Sequence, residues 1–562
     1  MTAATAADNA VNGVPSCAND WLLNEVARDE WGFDGYVTSD CDADNDVVFS
    51  HHFTDDPNQG VADVLKAGTD VDCGGFVGKY VASALGNNTI TEADIDERLE
   101  KLFRVRMRLS HFDPVGPLQG IGADSICNQY SFDLSQDGPA QSSTLLKNDA
   151  KTLPLAASSC GTVAVIGPNA NLSESDSGYY GPHNVCAETP GAKGPPKFWT
   201  LVDAVTKAGA SKVVSDNAIP NVLSNSTAGI ADAVTMAKSA DTVILAVGTD
   251  LSWAAEGHDA KSIAFTDAQK ELVSKCADAA KKPIIVVIMT ATPLDISEML
   301  ANPKVGAIVH TGQPSVTMLG VGDVLFGKKP PAGRMIQTIY PESYMDEISI
   351  FDFNMRPGPS AFVRPDCDQK CDAPPMHGGP CGSCPMGTNP GRTHRFYTGK
   401  AVTPFGYGLS YTTFSYDLKS APTGTVSLDA VRDMIAQTKS DGRIFPAHAL
   451  LGAAAPLVNY EVNVTNTGSV DSDEVVLGFL KPPGAGTNGV PLQQLYGFER
   501  VHVPAGKTVL VQLYPSLADF SQVDGNGERY DLPGEYTFHF GVGGEHAGTK
   551  GMGYAEHKIT MV

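Results

Sequence analysis

The stretch Trp31–Asp40, WGFDGYVTSD, decides how the front of this chain is read. Its apolar, β-branched run breaks off on an acid. A buried strand with that ending places a carboxylate at its C-terminal rim, the position where barrel enzymes carry their chemistry. The segments that follow fit the same frame. GVADVLKAG (60–68) predicts a helix closed by Gly68, and TDVDCG (69–74) a short β-prone piece followed again by acids. TEADIDERLEKLFRVRMRLSHF (91–112) predicts an amphipathic helix capped at Thr91 or the preceding turn, with acids in its first turn and basic residues in its last. Residues 1–115 therefore read as the C-terminal part of a (β/α)8 barrel.

Residues 116–160 read as a linker with one helix, SQDGPAQSSTLLKN (135–148). From VAVIGPNA (163–170) onward, strands and helices alternate. DTVILAVGTD (241–250), PIIVVIMTA (283–291) and VGAIVHTG (305–312) are strands; TAGIADAVTMAKSA (227–240) and DAQKELVSKCADAA (267–280) are helices between them. That alternation predicts a mainly parallel sheet with helices on both faces, an α/β sandwich domain over 161–345. Such sheets take ligands beyond the carboxyl ends of their strands. Residues 346–454 form a Cys/Pro/Gly-rich connector and packing segment. The tail alternates polar and apolar residues between turns, as in VNYEVNVTNTG (458–468) and GEYTFHFGVG (534–543), which predicts an all-β sandwich over 455–562.

Composition limits the partners. With 64 acidic against 40 basic residues, the formal charge of −24 disfavours nucleic acid and anionic membranes. No run is long enough to span a bilayer. The opening MTAATAADNAVNG has neither the basic n-region nor the apolar h-region of a signal peptide. The 11 cysteines lean towards an oxidising compartment. Four of them, Cys367, Cys371, Cys381 and Cys384, crowd one Pro/Gly-rich stretch, where disulfides are favoured over free thiols and over a zinc site. Sequons begin at Asn87, Asn171, Asn225 and Asn463, which adds modest weight to a secretory route.

Two acids stand out. Asp40 closes VTSD, and the competing reading makes it a helix cap or turn residue. Glu256 lies in GTDLSWAAEGHDAKS (248–262), directly after a sheet strand and flanked by Trp253 and His258. A glutamate beside Gly and aromatic residues at a sheet's ligand-binding edge suits a proton donor, against the plain reading of a solvated loop acid. A cleft between the two predicted domains is expected to hold the pair across a glycosidic bond. A retaining glycosidase needs such carboxyl groups about 5–5.5 Å apart.

An ordered series of motifs carries a specific resemblance. VNGVPSCAND (11–20), WGFDGYVTSDCDAD (31–44), LKAGTDVDCG (65–74), STLLKNDAKTLPL (143–155), AEGHD (255–259), NPGRTHRFYTG (389–399), TPFGYGLSYTTFSY (403–416) and LQQLYGFERV (492–501) resemble glycoside hydrolase family 3, most closely its fungal and plant β-xylosidase/α-L-arabinofuranosidase branch. The resemblance covers nearly the whole chain, including a fibronectin type III-like tail, and Cys41 after Asp40 matches the xylosidase branch. It implies that Asp40 is the nucleophile and Glu256 the acid/base of a retaining double displacement. No metal or organic cofactor is implied. The implied substrate is a xylooligosaccharide, with xylose released from the non-reducing end of β-1,4-linked chains. The alternatives are a β-glucosidase or α-L-arabinofuranosidase of the same family, or a catalytically inactive, truncated carbohydrate-binding protein.

Further residues take provisional roles. Trp253, His258, Tyr179 and Asn12 are candidates for substrate binding; for Asn12 and Tyr179 a structural role weighs more, and for His258 the two weigh equally. Asp70 and Asp72 are expected to shape a rim loop, Arg392 and Arg395 to tie the connector to the α/β domain, and Phe405, Tyr407 and Tyr411 to pack between domains. The chain departs from the family's pattern in two places. Ala260 stands where the family usually has arginine, with Lys261 as a partial substitute that lacks the bidentate fork. Members also carry roughly 200 further residues before the VNG segment, building most of a barrel that runs to about 250 in all. The expectation is a truncated product of an extracellular parent enzyme.

Overall fold

The structure, a computed structural model, describes residues 3–117, 119–122, 125–172, 197–313, 317–367, 379–440, 454–543 and 551–562. The chain forms two compact units, one of Met1–Gly122 with Asp433–Ala455, the other of Ala123–Arg432 with Pro456–Val562.

In the first unit, strand Ala3–Ala6 pairs in parallel with Tyr36–Ser39, and Thr38 bridges in parallel to Val71. Parallel neighbours need a crossover. The π-helical segment Trp21–Glu30 supplies the first, and helices Ala43–Phe49 and Pro57–Ala67 supply the second. The helix read at 60–68 starts at Pro57, where Asp56 caps the Asn58 N–H at 2.9 Å, and ends as expected at Gly68, whose φ is +112°. Glu92–Arg108 carries a full capping box between Thr91 and Asp94. Val37, Val47, Val64 and Leu23 form the small core over these elements. Asp70 ties the unit together: its Oδ2 accepts from the Val37 N–H at 2.7 Å and from Arg28 at 2.6 Å, and its Oδ1 meets Arg98 at 3.2 Å.

In the second unit a six-stranded sheet runs Thr144–Asn148, Val305–His310, Ile284–Met289, Thr242–Gly248, Thr162–Ile166, Lys212–Asp216. All neighbours are parallel except the first pair. The central strands are apolar on both faces. Val243, Leu245 and Val247 enter one core with helices Ile230–Ser239 and Asp267–Ala279; Ile244 and Ala246 enter the other with Leu201–Ala208 and Leu319–Leu325.

Two boundaries differ from the sequence reading. The linker of 116–160 delivers an edge strand of this sheet: the helix is Gln129–Ser142, and TLLKN leaves it as Thr144–Asn148. Ser142, Ser143 and Thr144 end the helix because their hydroxyls turn back on the main chain, Ser143 Oγ donating to Pro139 O at 2.7 Å. The β-sandwich likewise begins before 455. Phe414–Ser420, from the stretch read as connector, pairs with Tyr460–Asn466, which pairs with Thr508–Leu513. Facing strands include Ser472–Lys481, Gln494–Val503, Gly534–Phe540 and Ala555–Met561. Buried rings of Tyr460, Phe479, Phe520, Tyr536, Phe538 and Phe540 fill the sandwich.

Within this unit the two folds are bolted together. Arg334, from the α/β part, pairs with Glu474 of the sandwich, and Tyr416 donates to Glu474 Oε1 at 2.6 Å. Tyr411 donates to Val324 O at 2.8 Å and Phe405 packs edge-on against Phe479, the anchoring roles expected of both. Arg392 stays within the connector, donating to Asp352 O, and Arg395 lies over Phe396. Cys367 and Cys384 are joined in a disulfide, so two of the four crowded cysteines are oxidised to each other. No helix of the described residues is long and apolar enough to cross a membrane.

Candidate active site

Asp40 follows strand Tyr36–Ser39 directly, at its carboxyl end, and is exposed. The main chain fixes it from both sides: its N–H donates to Ala6 O at 2.7 Å, and its Oδ1 accepts from the Cys41 N–H at 2.8 Å. The disulfide Cys41–Cys73 then staples this rim to the loop after Val71. Ser39 Oγ accepts from the Cys73 N–H at 2.8 Å, and the Asp42 N–H donates to Cys73 O at 2.8 Å. Asp72 Oδ2 accepts from the Val77 N–H at 2.8 Å, which is the loop-shaping role expected of it. The exposed carboxylate stands on a braced strand end, and its Oδ2 makes no hydrogen bond among the described residues.

Asp44, which the sequence reading did not single out, lies four residues on. Its side chain is 0 % exposed, and neither oxygen has a hydrogen-bond partner among the described residues. Burial, with the nearby Asp72 carboxylate adding to it, pushes the Asp44 carboxyl up to about 7; the neighbouring Cys17 thiol opposes the shift. Spacing was the available signal. Asp44 falls on the same helical face as Val47 and Val48, so the period that buries two valines buries the acid too.

Asn12 sits at the tip of a two-residue hairpin joining Ala10–Val11 to Val14–Pro15. Asn12 and Gly13 both have positive φ, 53° and 83°, which makes the link a type I′ turn. Turn geometry gives Asn12 a structural role. Tyr179 lies outside the described residues.

Trp253, Glu256 and His258 come together on one loop, between strand Thr242–Gly248 and helix Asp267–Ala279. Ala255 and His258 exchange backbone hydrogen bonds of 2.8 and 3.0 Å. Glu256 and Gly257 form the turn between them, with Gly257 at φ +68°, where a type II turn demands glycine. Glu256 is thereby held out at the tip, exposed. Trp253 points the other way. It is 5 % exposed and belongs to the core beneath the sheet, so the expectation of a substrate-facing indole is corrected: the ring roots the loop because its apolar area is worth more in the core than at the rim. His258 is exposed, with Nε2 at 2.9 Å from Ser252 O. Neither Asp259 nor Lys261 makes an ion pair among the described residues.

Models of the glycosyl hydrolase family 3 N terminal domain and C-terminal domain match residues 1–105 and 143–411, and a fibronectin type III-like domain model matches 474–543. A probable exo-1,4-beta-xylosidase of Aspergillus oryzae is 34% identical over 543 residues, 95% of this chain and 61% of that protein. Beta-D-xylosidase 1 of Arabidopsis thaliana is 33% identical over 541 residues, 95% of this chain and 64% of that protein. Among solved structures, a GH3 exo-beta-xylosidase in complex with a xylobiose aziridine activity-based probe superposes with a TM-score of 0.79 at 28% identity, over 99% of this chain and 65% of that one. A beta-glucosidase from Listeria innocua gives 0.71 at 19% identity over 98% of this chain and 67% of its own, a likeness of fold. The chain spans less than two thirds of the length of the curated relatives it matches.

Proposed function

The chain belongs to glycoside hydrolase family 3, and from that premise we propose that it works as a retaining exo-β-xylosidase on β-1,4-xylooligosaccharides. The observation that carries the reading is its identity of about a third, along 95% of its length, to proteins described as xylosidases. The geometry at each acid agrees with it. Asp40, open at a strand's carboxyl end, acts as the nucleophile: one carboxylate oxygen bonds to the anomeric carbon as the glycosidic C–O bond breaks. Glu256, at the tip of its turn, acts as the acid and passes a proton to the leaving oxygen. In the second step Glu256 takes a proton from water, water's oxygen attacks the anomeric carbon, and Asp40 leaves as carboxylate. The disulfides Cys41–Cys73 and Cys367–Cys384 support an oxidising, extracellular setting.

The test is turnover of aryl β-D-xyloside, aryl β-D-glucoside and aryl α-L-arabinofuranoside by the chain, with near-UV circular dichroism as the check on folding. The xyloside is expected to be preferred, with turnover lost in Glu256→Gln. A folded chain that binds xylooligosaccharide and turns over none of the three would replace the enzyme reading with that of a binding protein.

A further inference from the structure

Resting on the reading of Glu256 as proton donor, we infer that His258 is a positioning residue: its imidazole clasps the turn that presents the Glu256 carboxyl.

The loop is rigid at its root and open at its tip. Fully buried Gln269 clamps the strand end, accepting from the Gly248 N–H at 3.0 Å and donating to Gly248 O at 3.1 Å and Val222 O at 2.9 Å. Thr249 Oγ1 meets Thr290 Oγ1, just past the end of the neighbouring strand Ile284–Met289, at 2.9 Å. Asp250 Oδ1 accepts from the Ser252 N–H at 2.8 Å and from its hydroxyl at 2.5 Å, and the Trp253 N–H donates to Asp250 O at 3.0 Å. After Trp253 enters the core, the reciprocal backbone bonds between Ala255 and His258 define the turn. The His258 side chain adds the remaining tie. It reaches back across the loop to Ser252 O and fastens the far side of the turn to the anchored one.

The acceptor is a carbonyl, so Nε2 carries the hydrogen. The neutral tautomer protonated at Nε2 and the imidazolium both donate there, so the clasp holds in either charge state. Glutamine places an amide N–H at similar reach and does not titrate, which makes His258→Gln the conservative replacement and His258→Ala the deletion.

The first readout is hydrogen exchange followed by mass spectrometry. His258→Ala should raise exchange over 250–258 about fivefold to tenfold, the weight of one net hydrogen bond. Helix Asp267–Ala279 should stay at the parental rate, and His258→Gln should restore the loop. The second is leaving-group dependence, which a merely structural role would not move. With poor leaving groups, which need the proton, His258→Ala should lose roughly 10–100-fold in kcat/KM, which reports the first step, and with dinitrophenyl xyloside almost nothing; His258→Gln should recover most of the loss. Glu256→Gln is run alongside to test the underlying reading separately. If Glu256→Gln shows the leaving-group pattern and His258→Ala does not, the positioning role is wrong and the donor assignment stands. If Glu256→Gln loses kcat/KM equally on all substrates, the donor assignment falls and the positioning role with it. Unchanged exchange over 250–258 in His258→Ala overturns the clasp whatever the activity.

Discussion

Asp40 is a residue whose sequence context and structural place agree: an acid ending an apolar run is an acid at a strand's rim. Glu256 was legible only through its neighbours, a preceding strand and a following glycine. Asp44 was not read, since an acid three residues before Val47 looks like a first-turn acid of a helix until the packing shows which face is buried. Its consequence is a pH dependence. The folded-state pKa is about 7, above the ordinary 3.8, so the folded chain holds a proton that the unfolded chain has lost. Asp44 therefore destabilises progressively as pH rises between those two values, by up to on the order of 4 kcal/mol above the higher one. The groups facing it, Asp72 and Cys17, carry no positive charge to offset this. Asp44→Asn is expected to raise the thermal midpoint at pH 8 and to flatten its fall between pH 4 and 7. Equal slopes for parent and variant would show that Asp44 ionises normally.

At the scale of elements, the pattern of periods was the reliable guide and the turns were the reliable punctuation. Thr91 and Asp94 announced the helix Glu92–Arg108, and Gly68 announced the end of its predecessor. Asn12-Gly13 has the pairing that favours a type I′ hairpin, and that is its place in the structure. Asn12→Gly, which keeps the turn, should leave stability within about 0.5 kcal/mol, whereas Gly13→Val should cost about 1–2 kcal/mol by forcing a β-branched residue to positive φ. Urea unfolding of the two variants gives the comparison, and equal midpoints would argue against the turn as the reason for these residues. The edge strand Thr144–Asn148 escaped the sequence reading because TLLKN continues a helix-like run in both polarity and spacing. What separates the two is the serine pair before it, a local competition of hydroxyl with backbone that periodicity does not register. Trp253 escaped for a different reason. An aromatic beside a candidate acid suits a rim or a core equally, and only the depth of the core beneath the loop decides.

Across the whole molecule, the order of parts was legible from composition: β/α material, a parallel sheet, a Cys/Pro/Gly-rich stretch and an alternating tail. The ion pair that joins sheet and sandwich within the second unit was not, because Arg334 and Glu474 are 140 residues apart and nothing in the pattern of either segment points to the other. Both are nearly buried, with side chains 8% and 3% exposed, and Tyr416 completes the set. Removing one charge strands the other, so Glu474→Ala is expected to cost about 3–5 kcal/mol. Replacing Arg334 and Glu474 together by Met and Leu should cost far less, and denaturant titration of the single and double variants measures the difference. Additive losses would mean that the pair is not coupled.

If Asp40 is the nucleophile of a retaining xylosidase, covalent capture will mark it. The folded chain is treated with a xylose-configured mechanism-based inhibitor, digested, and the modified peptide sequenced by mass spectrometry. One sugar adduct on Asp40, absent from Asp40→Asn, is the predicted result. An adduct on another carboxylate, or none on protein shown to be folded, would contradict it.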